Sequence, residues 1–441
     1  MYKITVVGTG YVGLVTGSCL ADFGMETMCV DTNAARINAL QHGVVPIYEP
    51  GLSEMVIRNV QSQRLHFTLD IAEAVPFADV IYIAVGTPQM ADGGVNLSDV
   101  MSVAEEIAAH MNEGYKVIVT KSTVPIGTSR KLKELIAERL HQRGSSARFD
   151  IVSNPEFLRE GTAVYDFTHP DKVVIGAESD EAREIMKQVY RVLFLNETPF
   201  IHTTLESAEM IKYANNAFLA MKISFINEIS GLCEAVGADV QQVAYAIGKD
   251  GRIGSKFLHA GPGYGGSCFP KDTHALAHIG RKHDAPMRLV EAAIEVNAQQ
   301  QQRMVHKIER ALGSLSGKRL AVLGLTFKPK TDDIRSAPAL TIIRELAARG
   351  AQLRLFDPAG MEPARKELID VNSSVQFCDD EYVAVQDCDG VVIVTEWHQF
   401  RNLDLERMQS LLHSPYFFDL RNIYNKERML QLGFHYYGVG V

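Results

Sequence analysis

The chain has 441 residues, of which 46% are hydrophobic and 22% charged, and its formal net charge at pH 7 is −9. A chain of this length can bury two or three separate cores, so we expect two or three globular domains. The acidic balance argues against a general nucleic-acid or acidic-membrane binder, because such proteins usually attract their partners through excess positive charge. Six scattered cysteines without a CxxC pair predict neither a disulfide framework nor a metal site.

The first residues pass directly into a predicted strand and lack the features of a signal peptide. No apolar run approaches the roughly 20 residues that are needed to span a bilayer. We therefore predict a cytoplasmic protein that binds neither membrane nor nucleic acid.

A βαβ unit opens the chain, with a strand over residues 3–7, a glycine turn over 8–13, a helix over 14–23 and a second strand over 27–30 that ends at Asp31. Further short apolar runs alternate with helical patterns up to about residue 175. This alternation predicts a parallel sheet with helices on both faces.

Residues 205–236 keep helical periodicity without a proline, and a helix of that length commonly joins two domains. A second helical region covers about residues 288–312, and a polar linker then leads into LAVLGLTF, a new strand followed by glycine. We predict an α/β fold with two Rossmann-like doubly wound domains joined by a long central helix. The predicted domains are residues 1–204, 205–312 and 313–441, where the second carries a cysteine loop.

The motif GTGYVG has the spacing of a dinucleotide-binding turn, with Gly8, Gly10 and Gly13 between a strand and a helix. Gly8 permits the tight turn, Gly10 lets the pyrophosphate approach, and Gly13 allows close packing of helix and strand. Asp31 would accept hydrogen bonds from the ribose and repel a 2′-phosphate, which favours NAD over NADP, although Arg36 lies close enough to oppose that preference. A flavin is the alternative, without a second motif to support it.

The stretch GPGYGGSCFPKD places Cys268 behind four glycines and just before a predicted helix. A helix N-terminus and a nearby lysine both stabilise a thiolate, so Cys268 is a candidate nucleophile; a buried thiol in a tight turn is the alternative. The other five cysteines lie in apolar surroundings and are expected to be buried.

Three further sets of polar residues are candidates for chemistry. Lys212 and Asn216 stand four apart on the long helix and suit an oxyanion, whereas an ordinary surface lysine is the alternative. Glu156 and Glu160 follow a predicted strand and suit a base or a water-binding role, or else simple capping. VGTP at residues 85–88 and KSTVP at 121–125 also follow strands, where parallel sheets bind ligands.

Taken together, GTGYVG, IYEPGL, VGTP, KSTVPIGT, NPEFLREG, KYANNAFLA, GRIG, GPGYGGSCFPKD and FKPKTDDIRSAP occur in an order that closely resembles the UDP-glucose 6-dehydrogenase family. The resemblance runs from about residue 1 to 425. It implies two successive hydride transfers from the C6 alcohol of UDP-glucose to two NAD⁺, which give UDP-glucuronate. Cys268 would hold the sugar through a thiohemiacetal and then a thioester, which water hydrolyses.

The resemblance also implies roles for individual residues. Lys212 and Asn216 would stabilise the oxyanion, and the catalytic water would be held by Asp272, Thr123 and Glu156. Glu160 would support that water network or the cofactor side. NAD would be bound by Gly8, Gly10, Tyr11, Val12, Gly13, Asp31, Arg36, Thr87, Thr123 and Arg335. The nucleotide sugar would be bound by Glu156, Phe157, Leu158, Lys212, Asn216, Arg252, Phe257, Gly265, Lys328 and Arg421.

In this family Arg252 would reach the substrate of a neighbouring subunit, which implies at least a homodimer packed through the long helix. Relatives oxidise GDP-mannose or UDP-N-acetylhexosamines with the same thiol and lysine, but Tyr264, Phe269 and GRIG resemble the UDP-glucose branch. Two other classes stay open from the residues alone: a two-electron dehydrogenase of small hydroxy acids, and a redox-sensing NAD-binding regulator.

Overall fold

The structure, a computed structural model, describes residues 2–441. The chain divides into two compact units, the first ending at Asn215 and the second comprising Asn216–Val441. Each unit is built around one sheet whose central strands are buried on both faces. Such strands are near-continuous runs of Val, Ile and Leu, because helices cover both sides of the sheet.

The sheet of the first unit has eight strands in the order β3-β2-β1-β4-β5-β6-β7-β8. In chain order, β1 to β8 are Ile4–Val7, Thr27–Val30, Leu65–Thr68, Val80–Ile83, Tyr115–Thr120, Arg148–Ser153, Val173–Ala177 and Phe200–Thr203. Its helices α1 to α8 are Tyr11–Asp22, Ala34–Gln41, Leu52–Gln61, Ile71–Phe77, Ser98–His110, Thr128–Arg143, Ala163–Thr168 and Asp180–Val189, and a 3₁₀ helix follows at Arg191–Asn196. The chain reverses its direction of strand addition between β1 and β4, where doubly wound sheets bind their ligands.

The expectation of a parallel sheet is wrong at one position, because β7 pairs antiparallel with β6 through Val152 and Ala177. The helix between these strands, α7, has only six residues. A helix of that length spans about 9 Å, which is too short to return along β6 to its starting edge. The chain therefore enters β7 from the carboxyl end of β6, and β8 then pairs parallel with β7.

The sheet of the second unit has six parallel strands in the order β11-β10-β9-β12-β13-β14. In chain order, β9 to β14 are Arg319–Leu323, Gln352–Phe356, Val375–Phe377, Gly390–Ile393, Tyr416–Asp419 and His435–Tyr437. This is the same strand order as in the first six strands of the other sheet, which confirms two doubly wound domains.

A long helix, α9, comprises Leu205–Val236, as predicted, and joins the two sheets along the chain. The other helices, α10 to α17, are Val240–Gly248, Phe269–Lys282, Arg288–Leu312, Pro338–Ala348, Met361–Glu367, Glu381–Val385, Leu405–Leu411 and Lys426–Gln431. Two further 3₁₀ helices lie at Ile369–Ser374 and His398–Arg401. Among the helices of residues 2–441, none combines the length and the apolar composition that crossing a membrane requires.

Candidate active site

The turn after β1 has the backbone geometry that a dinucleotide requires. Gly8 has a φ of +101°, and a Cβ atom at Gly13 would lie 1.9 Å from the Gly8 carbonyl oxygen, so both positions need glycine. A Cβ atom at Gly10, in contrast, would meet no atom within 4 Å. Gly10 is also the N-cap of α1 and offers no side-chain cap to the first turn. These residues fit a pyrophosphate, which would accept hydrogen bonds from the N–H groups of Tyr11, Val12 and Gly13.

Asp31 lies at the end of β2 and binds the same turn. Its Oδ2 atom accepts hydrogen bonds from the Thr9 N–H at 2.7 Å and the Thr9 hydroxyl at 2.8 Å, and it pairs with Arg36 at 3.1 Å. Burial opposes ionisation of Asp31, but hydrogen bonds from Asn33 and Thr9 and the Arg36 charge outweigh it and lower the pKa of this carboxyl. Asp31 is therefore an ionised acceptor at the position where an adenosine ribose would bind.

Glu49, in the IYEPGL segment, connects the start of α1 to the loop after β6. Its buried carboxylate accepts hydrogen bonds from the N–H groups of Gly161 at 2.6 Å and Ala163 at 2.7 Å, and from the Tyr11 hydroxyl. Burial and the neighbouring Glu49 carboxylate raise the pKa of Tyr11, which keeps its phenol protonated as the donor. The role of Glu49 could not be predicted from the IYEPGL motif, because two of its three hydrogen-bond donors, Gly161 and Ala163, lie more than 100 residues away along the chain.

Glu156 and Lys212 form a buried ion pair in the first unit. The Lys212 Nζ atom donates to Glu156 Oε1 at 2.8 Å and to the Glu156 carbonyl at 2.7 Å, and Glu156 Oε2 accepts the Leu158 N–H at 2.5 Å. Burial opposes ionisation of Glu156, but the Lys212 charge and hydrogen bond outweigh it and lower the pKa of the carboxyl. The pairing contradicts the alternative that Lys212 is an ordinary surface lysine, because Lys212 is only 3% exposed.

Two further lysines lie close to this pair. Lys172 Nζ is 4.3 Å and Lys212 Nζ is 5.4 Å from the centre of the Phe157 ring, so cations flank the aromatic side chain that the resemblance assigns to substrate binding. Lys121 Nζ donates to Asn154 Oδ1 at 3.0 Å, and the Tyr190 hydroxyl donates to the same oxygen at 2.7 Å. KSTVP at 121–125 was predicted to lie at a ligand-binding edge, but neither Lys121 nor Lys172 was given a role, since an isolated lysine carries no pattern that separates it from a surface charge.

The remaining candidates of the first unit lie on loops at the carboxyl ends of its central strands. Thr87 follows β4, Thr123 follows β5, and Glu160 follows β6; all three side chains are half-buried. Because β4, β5 and β6 are parallel neighbours, these loops lie at one edge of the sheet. That is the edge at which the glycine turn after β1 also lies.

In the second unit, Cys268 is the N-cap of α11 and is partly exposed, whereas the other five cysteines are buried. Pro270 stands in the first turn of α11, where its fixed φ suits a helix start. The orphan N–H groups at this helix end carry partial positive charge, which favours a thiolate over a thiol. For the buried thiols the opposite holds, and burial raises the pKa of Cys29 and of Cys388 to about 12.

Asp272 lies one turn into α11 and links Cys268 to α9. Its carboxylate accepts hydrogen bonds from Asn216 Nδ2 at 2.7 Å and Lys271 Nζ at 2.6 Å, and its own N–H donates to the Cys268 carbonyl at 2.8 Å. Asp272 is 1% exposed and Asn216 is 5% exposed. The structure therefore brings Asn216 together with Cys268 and Asp272, which lie 52 and 56 positions further along the chain.

Two of the nucleotide-sugar candidates of the second unit follow strands of its sheet: Lys328 follows β9 and Arg421 follows β13. Arg421 donates to the carbonyls of Val394 at 2.7 Å and Phe327 at 3.3 Å. Lys328 is half-buried beside Phe327, and Gly265 is so close to the Ser336 carbonyl that a Cβ atom would lie 2.2 Å from it. Phe257 has a φ of +66°, a conformation that is strained for an aromatic residue.

Two arginines with assigned roles are exposed and bonded within their own loops. Arg335 pairs with Asp333 at 2.7 Å and has a 64% exposed side chain. Arg252 pairs with Asp250 at 2.6 Å and has a 90% exposed side chain. Both guanidinium groups are thus held in a fixed direction by a bidentate carboxylate contact while most of their surface faces outward.

The second sheet repeats the turn geometry of the first without leaving room for a second dinucleotide. Gly324 has a φ of +97°, like Gly8, and Asp357 accepts the N–H groups of Leu325 and Thr326 as Asp31 accepts that of Thr9. However, Asp357 is 1% exposed, because the Trp397 indole donates to it at 3.1 Å and covers it. A ribose cannot reach this carboxylate.

Comparison with known proteins identifies the family. The family model for the NAD-binding domain of the UDP-glucose/GDP-mannose dehydrogenase family matches residues 2–194. The models for its central domain and its UDP-binding domain match residues 206–299 and 321–426. The chain belongs to the UDP-glucose/GDP-mannose dehydrogenase family.

Individual members of the family are similar over the full length. The chain is 52% identical to a UDP-glucose 6-dehydrogenase of Rhizobium meliloti (strain 1021), over 99% of both chains. It superimposes with a TM-score of 0.87 on a UDP-glucose dehydrogenase from the hyperthermophilic archaeon Pyrobaculum islandicum, at 36% identity, covering 96% of this chain and 98% of that one. A UDP-D-ManNAc dehydrogenase from Pyrococcus horikoshii gives a TM-score of 0.85 at 25% identity, over 99% of both chains.

The chain is therefore an NAD-dependent dehydrogenase with an NAD-binding domain and a UDP-binding domain. The fold alone does not choose the sugar, because dehydrogenases of two different UDP-sugars share it.

Proposed function

We propose that the protein oxidises the C6 alcohol of UDP-glucose to the carboxylate of UDP-glucuronate, with consumption of two NAD⁺. The partly exposed thiol of Cys268 at the N-terminus of α11 is the observation that carries this proposal. A two-electron dehydrogenase of small hydroxy acids needs no such thiol. The 52% identity to a UDP-glucose 6-dehydrogenase supports glucose over other sugars.

The proposed reaction has three covalent stages at C6. The alcohol first loses a proton and a hydride and becomes an aldehyde. The Cys268 thiolate then adds to C6, and the alkoxide that forms takes up a proton. The resulting thiohemiacetal loses a proton and the second hydride to give a thioester. Water adds to the thioester, the C–S bond breaks, and the carboxylate and the thiolate are released with two protons. Bound NAD⁺ accepts one hydride in each oxidation.

Charged and amide groups on α9 support these stages. Lys212 and Asn216, four residues apart on one helix, would stabilise the oxyanion at C6. Asp272 and Thr123 would hold the hydrolytic water, with Glu160 in support. Glu156 would hold that water as well, but its lowered pKa makes it a weak base and a strong partner for Lys212.

Binding of the two ligands is assigned to separate sets of residues. For NAD we propose Gly8, Gly10, Tyr11, Val12, Gly13, Asp31, Arg36, Thr87, Thr123 and Arg335. For UDP-glucose we propose Glu156, Phe157, Leu158, Lys212, Asn216, Arg252, Phe257, Gly265, Lys328 and Arg421. The division into residues 1–204, 205–312 and 313–441 and the cytoplasmic location stay predictions.

A homodimer is part of the proposal, and α9 offers the surface for it. Phe218, Phe225 and Leu232 repeat every seven residues and are 57%, 50% and 60% exposed. A seven-residue repeat lines up along one side of a helix, so these side chains form one apolar stripe. A second copy of the same helix is the natural partner, and Arg252 would then reach the substrate of that second subunit.

The substrate assignment is tested by the yield of NADH across a panel of UDP- and GDP-sugars. We expect two NADH per UDP-glucose, and much slower oxidation of GDP-mannose and UDP-N-acetylhexosamines. One NADH per sugar would favour a two-electron dehydrogenase. No turnover with any nucleotide sugar, together with retained NAD binding, would favour a redox-sensing regulator.

A further inference from the structure

The segment that carries the proposed nucleophile has no regular secondary structure of its own. Residues 261–268, which we call the cysteine loop, are bends and coil, yet residues 261–266 are fully buried. Buried backbone N–H and C=O groups must find partners, and a glycine-rich segment cannot supply them from its own side chains. The position of Cys268 therefore depends on groups that other elements contribute.

Three buried carboxamides contribute those groups. Asn227 on α9 accepts the Gly261 N–H at 2.8 Å, and Gln300 on α12 donates to the Gly261 carbonyl at 2.7 Å. Asn297 on α12 accepts the Tyr264 N–H at 2.8 Å and donates to the Tyr264 carbonyl at 3.0 Å. We call Asn227, Asn297 and Gln300 the carboxamide cluster; they are 0%, 8% and 3% exposed.

Asn297 makes the most specific contact of the three. Its amide pairs with both backbone groups of Tyr264, as a neighbouring β-strand would. Gly263 has a φ of +115° at this contact, and a Cβ atom there would lie 2.8 Å from Asn297 Oδ1. The opposite side of the loop is also fixed, because the Gly266 N–H donates to the Arg335 carbonyl at 2.8 Å and Gly266 packs against the Phe327 ring.

We propose that Asn297, assisted by Gln300 and Asn227, is a positioning residue that holds the cysteine loop so that Cys268 stays at the N-terminus of α11. The proposal rests on the proposed role of Cys268 as the nucleophile. The hydrogen bonds of Asn297 go to the backbone of Tyr264, so it acts on Cys268 through that backbone. Without this support the thiol moves away from the partial positive charge at the N-terminus of α11, and a smaller fraction of it is ionised to the thiolate.

The decisive variant is Asn297→Asp, which keeps the shape of the side chain. The introduced carboxylate still accepts the Tyr264 N–H, but its second oxygen faces the Tyr264 carbonyl and repels it. We expect the alkylation rate of Cys268 by iodoacetamide at pH 7, followed on the Cys268 peptide by mass spectrometry, to fall about 10-fold as the thiol moves away from the helix end. The five other cysteines are buried and react slowly, so the signal belongs to Cys268.

The pH dependence of the Asn297→Asp variant distinguishes loss of one hydrogen bond from a general disturbance of the fold. When the introduced carboxyl takes up a proton it can donate to the Tyr264 carbonyl as the amide does, and burial places that protonation at an accessible pH. We therefore expect the alkylation rate of Asn297→Asp, divided by that of the unmodified protein, to rise towards one as the pH falls from 6 to 5. Ionisation of both thiols moves the same ratio towards one only at high pH, so this low-pH range reports on the introduced carboxyl. A ratio that is constant over this range would contradict the proposed contact.

Two further variants provide a control for the Asn297 variant and a second test of the proposal. Gln299→Ala, on the same helix but exposed and bonded to Glu295, is the matched control and should alkylate at the normal rate. Gln300→Ala should slow alkylation by about 3-fold, which covers the case in which the Asn297 variant does not fold. In assays with UDP-glucose, Asn297→Asp should lower kcat and leave the KM for NAD unchanged, since Asn297 supports the thiol and not the glycine turn.

Normal alkylation with a normal pH profile in folded Asn297→Asp and Gln300→Ala would overturn the proposal. The alkylation assay needs no substrate, so it decides the positioning role even if the protein oxidises no nucleotide sugar. In that case the proposed function fails and the positioning of Cys268 is still measured.

Discussion

Lys121 is a buried cation at the carboxyl end of β5, 5% exposed, whose ammonium donates to Asn154. Burial lowers the pKa of Lys121 from 10.5 to about 8, since the attraction of Glu156 does not compensate and Lys212 adds repulsion. The folded chain therefore binds fewer protons than the unfolded chain between these two values. Stability should rise with pH across that window, and the cost of burying the charge is fully present below pH 8.

Lys121→Met should thus be more stable than the unmodified protein at pH 7, because a methionine of similar size carries no charge to bury. The Tyr190 hydroxyl still donates to Asn154 Oδ1, so this oxygen keeps a partner. Urea unfolding at pH 7 and pH 9.5 measures the difference, which should shrink at the higher pH. A variant that is less stable at both pH values by the same amount would contradict this account.

At the scale of single residues, the sequence predicted which glycines and charged side chains belong to the site. It did not predict which residues those side chains would contact. The turn at Gly8, the ribose acceptor Asp31 and the thiol of Cys268 all stand in local patterns that carry their own physical reason. The ion pair of Lys212 with Glu156 joins residues 56 positions apart. No local pattern predicts such a contact, because it depends on how the helix packs on the sheet.

Among the elements, Glu49 joins the start of α1, the loop after β6 and the start of α7 through one carboxylate. Glu49→Gln replaces one oxygen by an N–H₂ group, which must then face a backbone N–H or the Tyr11 hydroxyl. An unsatisfied buried donor costs about 1–3 kcal/mol, and displacement of the first turn of α1 should raise the KM for NAD.

Urea unfolding and NAD titration of Glu49→Gln check both effects. Glu54→Gln, on the exposed side of α3, is the matched control and should change neither quantity. An unchanged KM for NAD in folded Glu49→Gln would show that Tyr11 does not depend on this carboxylate.

Long elements were predicted better than short ones. The bounds of α9, Leu205–Val236, and of α12, Arg288–Leu312, agree with the periodicity, because many turns of helix average out single residues. The edge strands β3, β8, β11 and β14 were missed, since they are short, partly exposed and interrupted by polar side chains, and so lack the continuous apolar run of the central strands. The antiparallel entry into β7 was missed as well, because it follows from the shortness of α7 rather than from the sequence of β7.

For the whole molecule, the proposed dimer depends on the apolar stripe of α9. Phe225→Asp places a charge at the middle of that stripe and should convert the dimer to a monomer by disfavouring burial of the helix against a second copy. Leu430→Asp, on α17, changes a side chain of similar exposure, 52%, outside the stripe and should leave the dimer intact.

Light scattering of the size-separated protein measures the mass of both variants. A Phe225→Asp variant that remains dimeric would place the interface elsewhere. If the unmodified protein is monomeric, the proposed dimer is wrong, and so is the proposed role of Arg252 at the substrate of a second subunit.

The central claim is that the Cys268 sulfur holds the half-oxidised sugar between two hydride transfers. The most direct measurement is the number of NADH formed per UDP-glucose by the unmodified protein and by Cys268→Ala, with substrate limiting and NAD⁺ in excess. We predict two NADH for the unmodified protein and one for Cys268→Ala, with the product left at the aldehyde level. Two NADH from Cys268→Ala at an undiminished rate would contradict the account.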